Sequence, residues 1–247
     1  LCGQSYQSTQ SSIVSEIYRG YISMYEQLGK HMAERFSIGG GMLSPDRSYV
    51  MINIPKNASS YVGTWLNENG WSFIDFTHHG ELISTVKTVG VILRDPIQRF
   101  ITGFTQYFSS YIVFPPWHDN AEPFGPEHVE KYWPVIERIM CDVGILFDDH
   151  TMPQYYFYES FLPNVAREYF YCNSTLEQTL LKHFNLAVPT AKAEQDANIT
   201  AVKTDPIPKL VAKLVRESVE KPHIKSRLMQ MLQQDYQKIM STQFIRY

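Results

Sequence analysis

The sequence predicts an α/β fold of three layers, in which a mostly parallel central sheet carries helices on both faces. Residues 49–66 and 89–104 each pass from a short apolar run through a turn into a helical pattern. Strand and helix patterns also alternate along much of the remaining chain, which is typical of βαβ units. The chain has 247 residues, of which 44% are hydrophobic and 14% aromatic, so it can bury a sizeable core.

The predicted organisation is a single domain over residues 1–247. Within residues 1–45, apolar residues recur every three or four positions between 11 and 36, which predicts a leading helix. The run Gly39-Gly40-Gly41, followed by Pro45, predicts a glycine-rich linker after that helix. Residues 46–247 then form the α/β core and the closing helices.

Composition excludes some classes of function. The formal charge is −3, from 22 basic and 25 acidic residues, which argues against a general nucleic-acid binder. No apolar run approaches the roughly 18 residues of a membrane helix, so no membrane span is expected. Cys2, Cys141 and Cys172 lie far apart and lack metal-ligand spacing, so neither a metal site nor a disulfide framework is expected. The oligomeric state is left open.

The first strand–turn–helix unit has the features of an anion site. Residues 49–54 are mostly apolar and favour a strand, which should end at Pro55 because proline cannot donate to a ladder. A small-residue turn and a helix N-terminus follow, and the free amides and positive dipole end of such a terminus attract anions. Lys56 adds a positive charge, and Ser59 and Ser60 add hydroxyl donors. The stretch therefore predicts a bound phosphate or sulfate.

An ordinary turn is the alternative, because many strand–turn–helix connections bind nothing. The stretch also differs from the Walker A loop, since it lacks the Gly-x-x-x-x-Gly-Lys-Ser/Thr pattern. Its glycine, Gly63, lies after the lysine and inside the predicted helix. An ordinary nucleotide triphosphatase is therefore disfavoured.

The second unit predicts another anion-binding position. Residues 89–93 suit a central parallel strand, and Arg94 follows at its carboxyl end, where open α/β sheets bind ligands. Asp95 is a candidate N-cap for the next helix, and Thr102 lies two turns into it. A guanidinium and a hydroxyl that converge suit a second phosphate. The alternative is that Arg94 pairs with Asp95 and that Arg99 lies on a solvated face.

Both motifs resemble those of sulfotransferases that use 3′-phosphoadenosine 5′-phosphosulfate (PAPS). Residues 55–60, Pro-Lys-Asn-Ala-Ser-Ser, resemble the 5′-phosphosulfate loop, and residues 94–104 resemble the 3′-phosphate site. The closest likeness is to the Golgi carbohydrate branch, which includes heparan and dermatan 2-O-sulfotransferases and chondroitin sulfotransferases. Residues 148–154 look like the Asp-x-His-x-x-Pro-Gln segment of that branch, and residues 235–244 resemble its closing helix. The likeness runs from about residue 49 to the end.

The resemblance implies a P-loop NTPase-like sulfotransferase fold and transfer of a sulfonate from PAPS, which leaves PAP. The expected acceptor is a hydroxyl or amine on a carbohydrate or small alcohol, and no metal is expected. Two departures from the family pattern are mild, since Ala58 replaces a glycine and Thr102 replaces a serine. The implied cofactor-binding residues are Lys56, Asn57, Ala58, Ser59, Ser60, Tyr61, Arg94 and Thr102.

The catalytic residues follow partly from chemistry and partly from the resemblance. Lys56 can stabilise the leaving phosphate, and a histidine or carboxylate near the sulfur should remove the acceptor proton. The 2-O-sulfotransferases carry a His-Gly-His before the Arg94-type strand, with the catalytic histidine last, and that position is Glu81 here. His78, His79 and Glu81 therefore remain open as the base. His150 is expected to be a structural anchor beside a structural Pro-Gln pair.

Two further hypotheses come from other classes of protein. A kinase-like phosphotransferase would need Mg²⁺-ATP, and the sequence shows no obvious metal-binding carboxylate pair beside the loop. A catalytically silent nucleotide- or glycan-binding module would keep PAP affinity without transferring sulfate. The segment 115–126 is a candidate acceptor-binding flap, with an ordinary surface loop as the alternative.

The cellular location is predicted from sequons and cysteines. One of three N-glycosylation sequons, residues 57–59, falls inside the proposed phosphate loop, where a glycan would block the cofactor. Together with the sparse cysteines, this favours a microbial or viral cytoplasm. The family resemblance favours the Golgi lumen instead, if the sequence is a trimmed eukaryotic chain that lost a segment before Leu1.

Overall fold

The computed structural model describes residues 39–76, 83–110, 125–142, 150–159, 161–190, 193 and 206–247. The strands in these ranges are β1 (Gly40–Leu43), β2 (Tyr49–Ile52), β3 (Ser72–Asp75), β4 (Thr88–Leu93) and β5 (Ala166–Tyr171). The helices are α1 (Ser59–Glu68), α2 (Pro96–Ser110), α3 (Pro126–Asp142), α4 (Tyr155–Tyr158), α5 (Leu176–Phe184), α6 (Pro206–Val219), α7 (Pro222–Met231) and α8 (Gln233–Ser241). No helix in these ranges is long and apolar enough to cross a membrane.

The strands form one mixed sheet in the order β3-β1-β2-β4-β5. Strands β2, β4 and β5 are parallel, whereas β1 runs antiparallel to both β2 and β3. The predicted α/β class is confirmed, but the prediction of a mostly parallel sheet is wrong. The difference arises at the β1–β2 hairpin, whose turn is closed by hydrogen bonds from the Ser44 and Ser48 hydroxyls to Asp46 at 2.6 and 2.7 Å.

Strand β1 occupies residues that the sequence predicted to be a glycine-rich linker. A Cβ atom on Gly41 would lie 2.6 Å from the Met51 carbonyl oxygen, and one on Gly40 would overlap the Phe73 ring. Glycine is therefore needed at position 41, because the neighbouring backbone approaches closely, whereas the Phe73 ring beside Gly40 is 60% exposed and can shift. The glycine run is part of the sheet, and the linker prediction for residues 39–45 is wrong.

Alternate side chains along the strands build a core on each face of the sheet. On one face Met51, Ile92 and Phe170 pack with Trp65 of α1 and Leu180 of α5. On the other face the core contains Val50, Ile52, Val91, Leu93 and Tyr158, with the partly buried Ile239 and Phe244 packed against it. A third cluster joins α2, α3, α6 and α7. The sheet is thus packed on both faces.

Most predicted helices are present. The apolar spacing of residues 127–141 predicts a helix with a kink near Pro134, and helix α3 contains that proline. Residues 223–240 are predicted as a single closing helix, but the structure divides them into α7 and α8 at Leu232. The pattern Ser-Thr-Leu-Glu at residues 174–177 predicts a capping box at the start of α5. This prediction is wrong, because the N-cap residue Thr175 makes no side-chain cap bond and its amide donates to Asn173 Oδ1 at 3.0 Å. The leading helix at 11–36 and the flap at 115–126 are predictions for residues outside the described ranges.

Candidate functional site

The two predicted anion-binding turns lie side by side. Strands β2 and β4 are parallel neighbours. The loop that follows β2, residues 53–58, is called the lysine loop, and it meets Arg94, which follows β4, at the same edge of the sheet. The Arg94 Nη1 atom donates a hydrogen bond to the Lys56 carbonyl oxygen at 2.9 Å. The structure therefore joins the two motifs directly, and Arg94 contacts the lysine loop where the alternative had it paired with Asp95.

The Lys56 loop has an unusual backbone. Lys56 and Ala58 have φ angles of 70° and 61°, which place both in the left-handed region that side chains with a Cβ atom rarely adopt. Such conformations cluster at functional sites and persist where the surrounding structure holds them. The sulfotransferases that this loop resembles carry glycine at the Ala58 position, and glycine adopts this conformation without strain.

The start of helix α1 lacks a side-chain cap. Ala58 is the N-cap residue, its carbonyl oxygen accepts the Val62 amide at 2.9 Å, and no described side chain caps the helix. The amides of Ser59 and Ser60 have no acceptor within the helix, because the first amides of any helix have none. Backbone donors and the positive dipole end thus converge beside Lys56.

The buried side chain of Asn57 anchors the lysine loop to strand β4 and to Gln154. Its side chain is 1% exposed, and Nδ2 donates to the Ile92 carbonyl at 2.7 Å and to Gln154 Oε1 at 2.6 Å. Its Oδ1 atom has no hydrogen-bond partner among the described residues, and a cavity of about 60 Å³ is lined by Asn57, Ser59 and Gly63. Contact of Asn57 with a cofactor stays a prediction.

Gln154 links the two motifs. Its Oε1 atom accepts the Arg94 amide at 2.9 Å, and its Nε2 atom donates to the Arg94 carbonyl at 2.8 Å. Because Oε1 also accepts Asn57, this one buried side chain sets the distance between the lysine loop and the end of β4. The structural role expected for the Pro-Gln pair is confirmed for Gln154.

Asp235 of helix α8 supports Gln154 and was not identified from the sequence as part of the site. It is 2% exposed, and its carboxylate accepts the Gln154 amide at 2.8 Å and the Tyr155 amide at 3.0 Å. Burial raises the pKa of Asp235, while these amide bonds and the nearby Arg99 guanidinium oppose the rise. In the sequence, Asp235 was marked only by its position in residues 235–244, which resemble the closing helix of the carbohydrate sulfotransferases.

Arg99 holds the loop from its other side. It is 1% exposed, so the alternative of a solvated face is wrong. Its Nε atom donates to the Pro55 carbonyl at 2.9 Å, Nη1 donates to the Met152 carbonyl, and the guanidinium lies 5.6 Å from the Phe157 ring centroid. Arg99 therefore fixes the start of the lysine loop.

Thr102 and Tyr61 flank the site. The Thr102 hydroxyl donates to the Gln98 carbonyl at 2.9 Å, so contact with a phosphate would require it to exchange this bond. The Tyr61 hydroxyl donates to Glu177 at 2.7 Å, which orients its ring beside the helix start. Convergence of Thr102 with Arg94, and contact of Tyr61 with a cofactor, stay predictions.

The candidate bases fall mostly outside the described residues. His78, His79 and Glu81 lie there, as does His118, the histidine to be considered if none of these three is the base. His150 is described, and its carbonyl oxygen packs against Gly103 of α2 so closely that a Cβ atom on Gly103 would overlap it. In the part of the chain that the structure describes, no three metal-ligating side chains cluster as a metal site would require.

The described part of the site is suited to binding anions. Lys56, Arg94 and the first amides of α1 supply positive charge and donors at one sheet edge, and Asn57 and Gln154 hold them in place. Comparisons of the chain with protein-family models, with curated proteins and with solved structures found no match.

Proposed function

We propose that the chain is a PAPS-dependent sulfotransferase, with the P-loop NTPase-like sulfotransferase fold, that acts on a hydroxyl or amine of a carbohydrate or small alcohol. One observation carries the proposal, namely the 2.9 Å bond from the Arg94 guanidinium to the Lys56 carbonyl. It unites two motifs that are 38 positions apart in sequence and that each resemble one anion-binding half of a PAPS site.

The spacing of the two halves supports a ligand with two anionic ends. Neighbouring strands lie about 4.8 Å apart, so turns that follow adjacent strands can contact one small molecule at two points. Lys56 and the amides of Ser59 and Ser60 would hold the 5′ end, where the phosphosulfate lies. Arg94, with its planar fork of donors, would hold the 3′-phosphate.

Different residues would serve the two ends of the sulfonate transfer. The sulfur–oxygen bond to the phosphate breaks as a new bond forms from sulfur to the acceptor oxygen or nitrogen. Lys56 would stabilise the negative charge that develops on the departing phosphate oxygen. A base from the segment that contains His79 and Glu81 would take the acceptor proton, and this assignment rests on the family resemblance.

The test is transfer of labelled sulfate from PAPS across a panel of neutral sugars, uronic-acid sugars and small alcohols. Wild-type protein should label at least one acceptor, and Lys56→Ala should reduce kcat by orders of magnitude. The matched control is Lys209→Ala, which removes an exposed lysine of α6. Near-normal turnover by the Lys56 variant would refute the assignment, and ATP-dependent labelling by phosphate would favour a kinase. PAP binding without any transfer would favour the silent binding module.

The base is tested separately in single turnovers. If His79 is the base, His79→Ala should slow transfer strongly without changing PAP affinity, because the base touches the acceptor and not the nucleotide. If Glu81 is the base, Glu81→Gln should show the larger loss. Effects below a few-fold in both variants would move the assignment to His118 or His150.

A further inference from the structure

The structure describes two of the three N-glycosylation sequons and places them in opposite surroundings. One sequon begins at Asn57 and another at Asn173, whereas the third, at residues 198–200, lies outside the described ranges. An N-linked glycan is bulky and hydrated, so an asparagine that carries one must be at the surface of the folded protein. Exposure of the asparagine therefore decides which sequon the fold can accommodate as a glycan site.

The sequon that begins at Asn57 is incompatible with a glycan in the folded protein. The Asn57 side chain is 1% exposed, and its Nδ2 atom, which would carry the sugar, donates to the Ile92 carbonyl at 2.7 Å and to Gln154 Oε1 at 2.6 Å. A glycan would replace one of the two Nδ2 protons and draw the side chain out of the protein. The lysine loop would then lose its anchor to β4.

The sequon Asn173-Ser174-Thr175 is exposed at all three residues and forms the turn between β5 and α5. Asn173 Oδ1 accepts the Thr175 amide at 3.0 Å and the Thr175 hydroxyl at 2.9 Å. Both of these bonds use Oδ1, and the Nδ2 atom of Asn173 makes no hydrogen bond with a described residue. A sugar on Nδ2 would therefore break no bond of the turn.

We propose that Asn173 is a modification site that carries an N-linked glycan. The donor is a saccharide joined to a lipid diphosphate, and a separate transferase makes the transfer. The bond between C1 of the sugar and the diphosphate oxygen breaks, and a bond forms between C1 and Asn173 Nδ2. Nδ2 gives up one proton to the transferase, and the lipid diphosphate is the leaving group.

The inference goes beyond the proposed function, since it needs neither PAPS nor an acceptor. Asn173 follows β5 and Arg94 follows β4, its parallel neighbour, so the glycan would project from the same edge of the sheet as Arg94. The exposure of Asn173 lets the glycan extend into solvent. The site would place the chain in a compartment that holds the N-glycosylation machinery. The prediction of a cytoplasm rested partly on the sequon at residues 57–59, and the burial of Asn57 gives a reason for that sequon to stay unmodified.

The test is production of the full chain in the secretory pathway of a eukaryotic cell, followed by mass spectrometry that resolves each sequon. Most copies of the folded protein should carry a glycan at Asn173, and none should carry one at Asn57. Thr175→Ala should abolish the glycan at Asn173, whereas Thr175→Ser, which keeps a hydroxyl in the sequon, should retain it. The matched control is Ser174→Ala, which changes the neighbouring residue, leaves the sequon intact and should keep the glycan.

Enzymatic removal of the glycan tests the site without any substitution, so the inference stays falsifiable if a variant fails to fold. Removal by a peptide N-glycosidase should convert Asn173 to aspartate, and thermal melts identify the folded protein. Folded, secreted protein without a glycan at Asn173 would overturn the inference, as would folded protein with a glycan at Asn57. None of these readouts depends on sulfate transfer, so failure of this site and failure of the proposed function are distinguishable.

Discussion

Replacing Gln154 by leucine is expected to lower the free energy of unfolding by about 3–6 kcal/mol. Leucine removes the bonds that Gln154 makes to the Arg94 amide at 2.9 Å, to the Arg94 carbonyl at 2.8 Å and to Asn57 Nδ2 at 2.6 Å. Each buried group that loses its only partner costs about 1–3 kcal/mol, and Asn57 loses less because it keeps the Ile92 carbonyl. Leucine has a similar volume, so cavity formation adds little.

Urea denaturation of the wild type and of Gln154→Leu measures this difference. The slope of the unfolding free energy against urea should stay constant, so that the midpoint alone reports the loss. Gln98→Leu is the control, since Gln98 is exposed on α2 and its replacement should change the unfolding free energy by no more than about 0.5 kcal/mol. PAP affinity should also fall in the Gln154 variant, because the Arg94 backbone loses two bonds.

The expected loss is large enough to be refuted clearly. A Gln154→Leu variant that loses less than about 1 kcal/mol would show that these three bonds contribute only as exposed bonds do. Equal effects of Gln154→Leu and Gln98→Leu would contradict the role of Gln154 as the link between the lysine loop and Arg94.

Further predictions concern two helical glycines and the buried carboxylate. Gly103→Ala should lower the free energy of unfolding by about 1–3 kcal/mol, because the added Cβ would overlap the His150 carbonyl. Gly63→Ala has open space around the added Cβ and should raise the free energy of unfolding by up to about 1 kcal/mol. Equal shifts of the melting temperature in the two variants would contradict this contrast. Because burial raises the folded pKa of Asp235, its titration contributes stability that is full below the unfolded pKa and is lost as pH rises through the folded pKa. Asp235→Asn should remove this contribution to the pH dependence of the unfolding free energy, measured by urea denaturation at several pH values between ~4 and ~7. An unchanged pH dependence in the variant would contradict the role of Asp235.

The strand–turn–helix units could be predicted because their signals are local. Apolar runs, Pro55 and the Asp95 cap mark their boundaries, and the Gln98 amide indeed donates to Asp95 Oδ1 at 2.8 Å. Strand β1 could not be predicted in this way, because a run of glycines is typical of an irregular segment. Its place in the sheet follows only from the close contacts of these glycines with Phe73 and Met51. The sheet is mixed as a consequence of that one hairpin.

The site was predicted in part. Lys56 and Arg94 were identified because charged residues at the ends of apolar strands stand out. The roles of Asn57, Gln154 and Asp235 depend on contacts between residues 60 to 97 positions apart, such as Asn57 with Gln154 and Gln154 with Asp235, which no local pattern encodes. Resemblance to a family motif pointed to Gln154, but only the fold shows what it binds.

The central claim is that Lys56 and Arg94 form the two ends of one nucleotide site, and calorimetry tests it most directly. Wild-type protein should bind PAP more tightly than the analogue without the 3′-phosphate, by about 1.5–3 kcal/mol for one charged hydrogen bond. Arg94→Ala should bind both nucleotides alike, while Arg216→Ala, which removes an exposed arginine of α6, should keep the preference. An Arg94→Ala protein that still strongly prefers PAP would contradict the account.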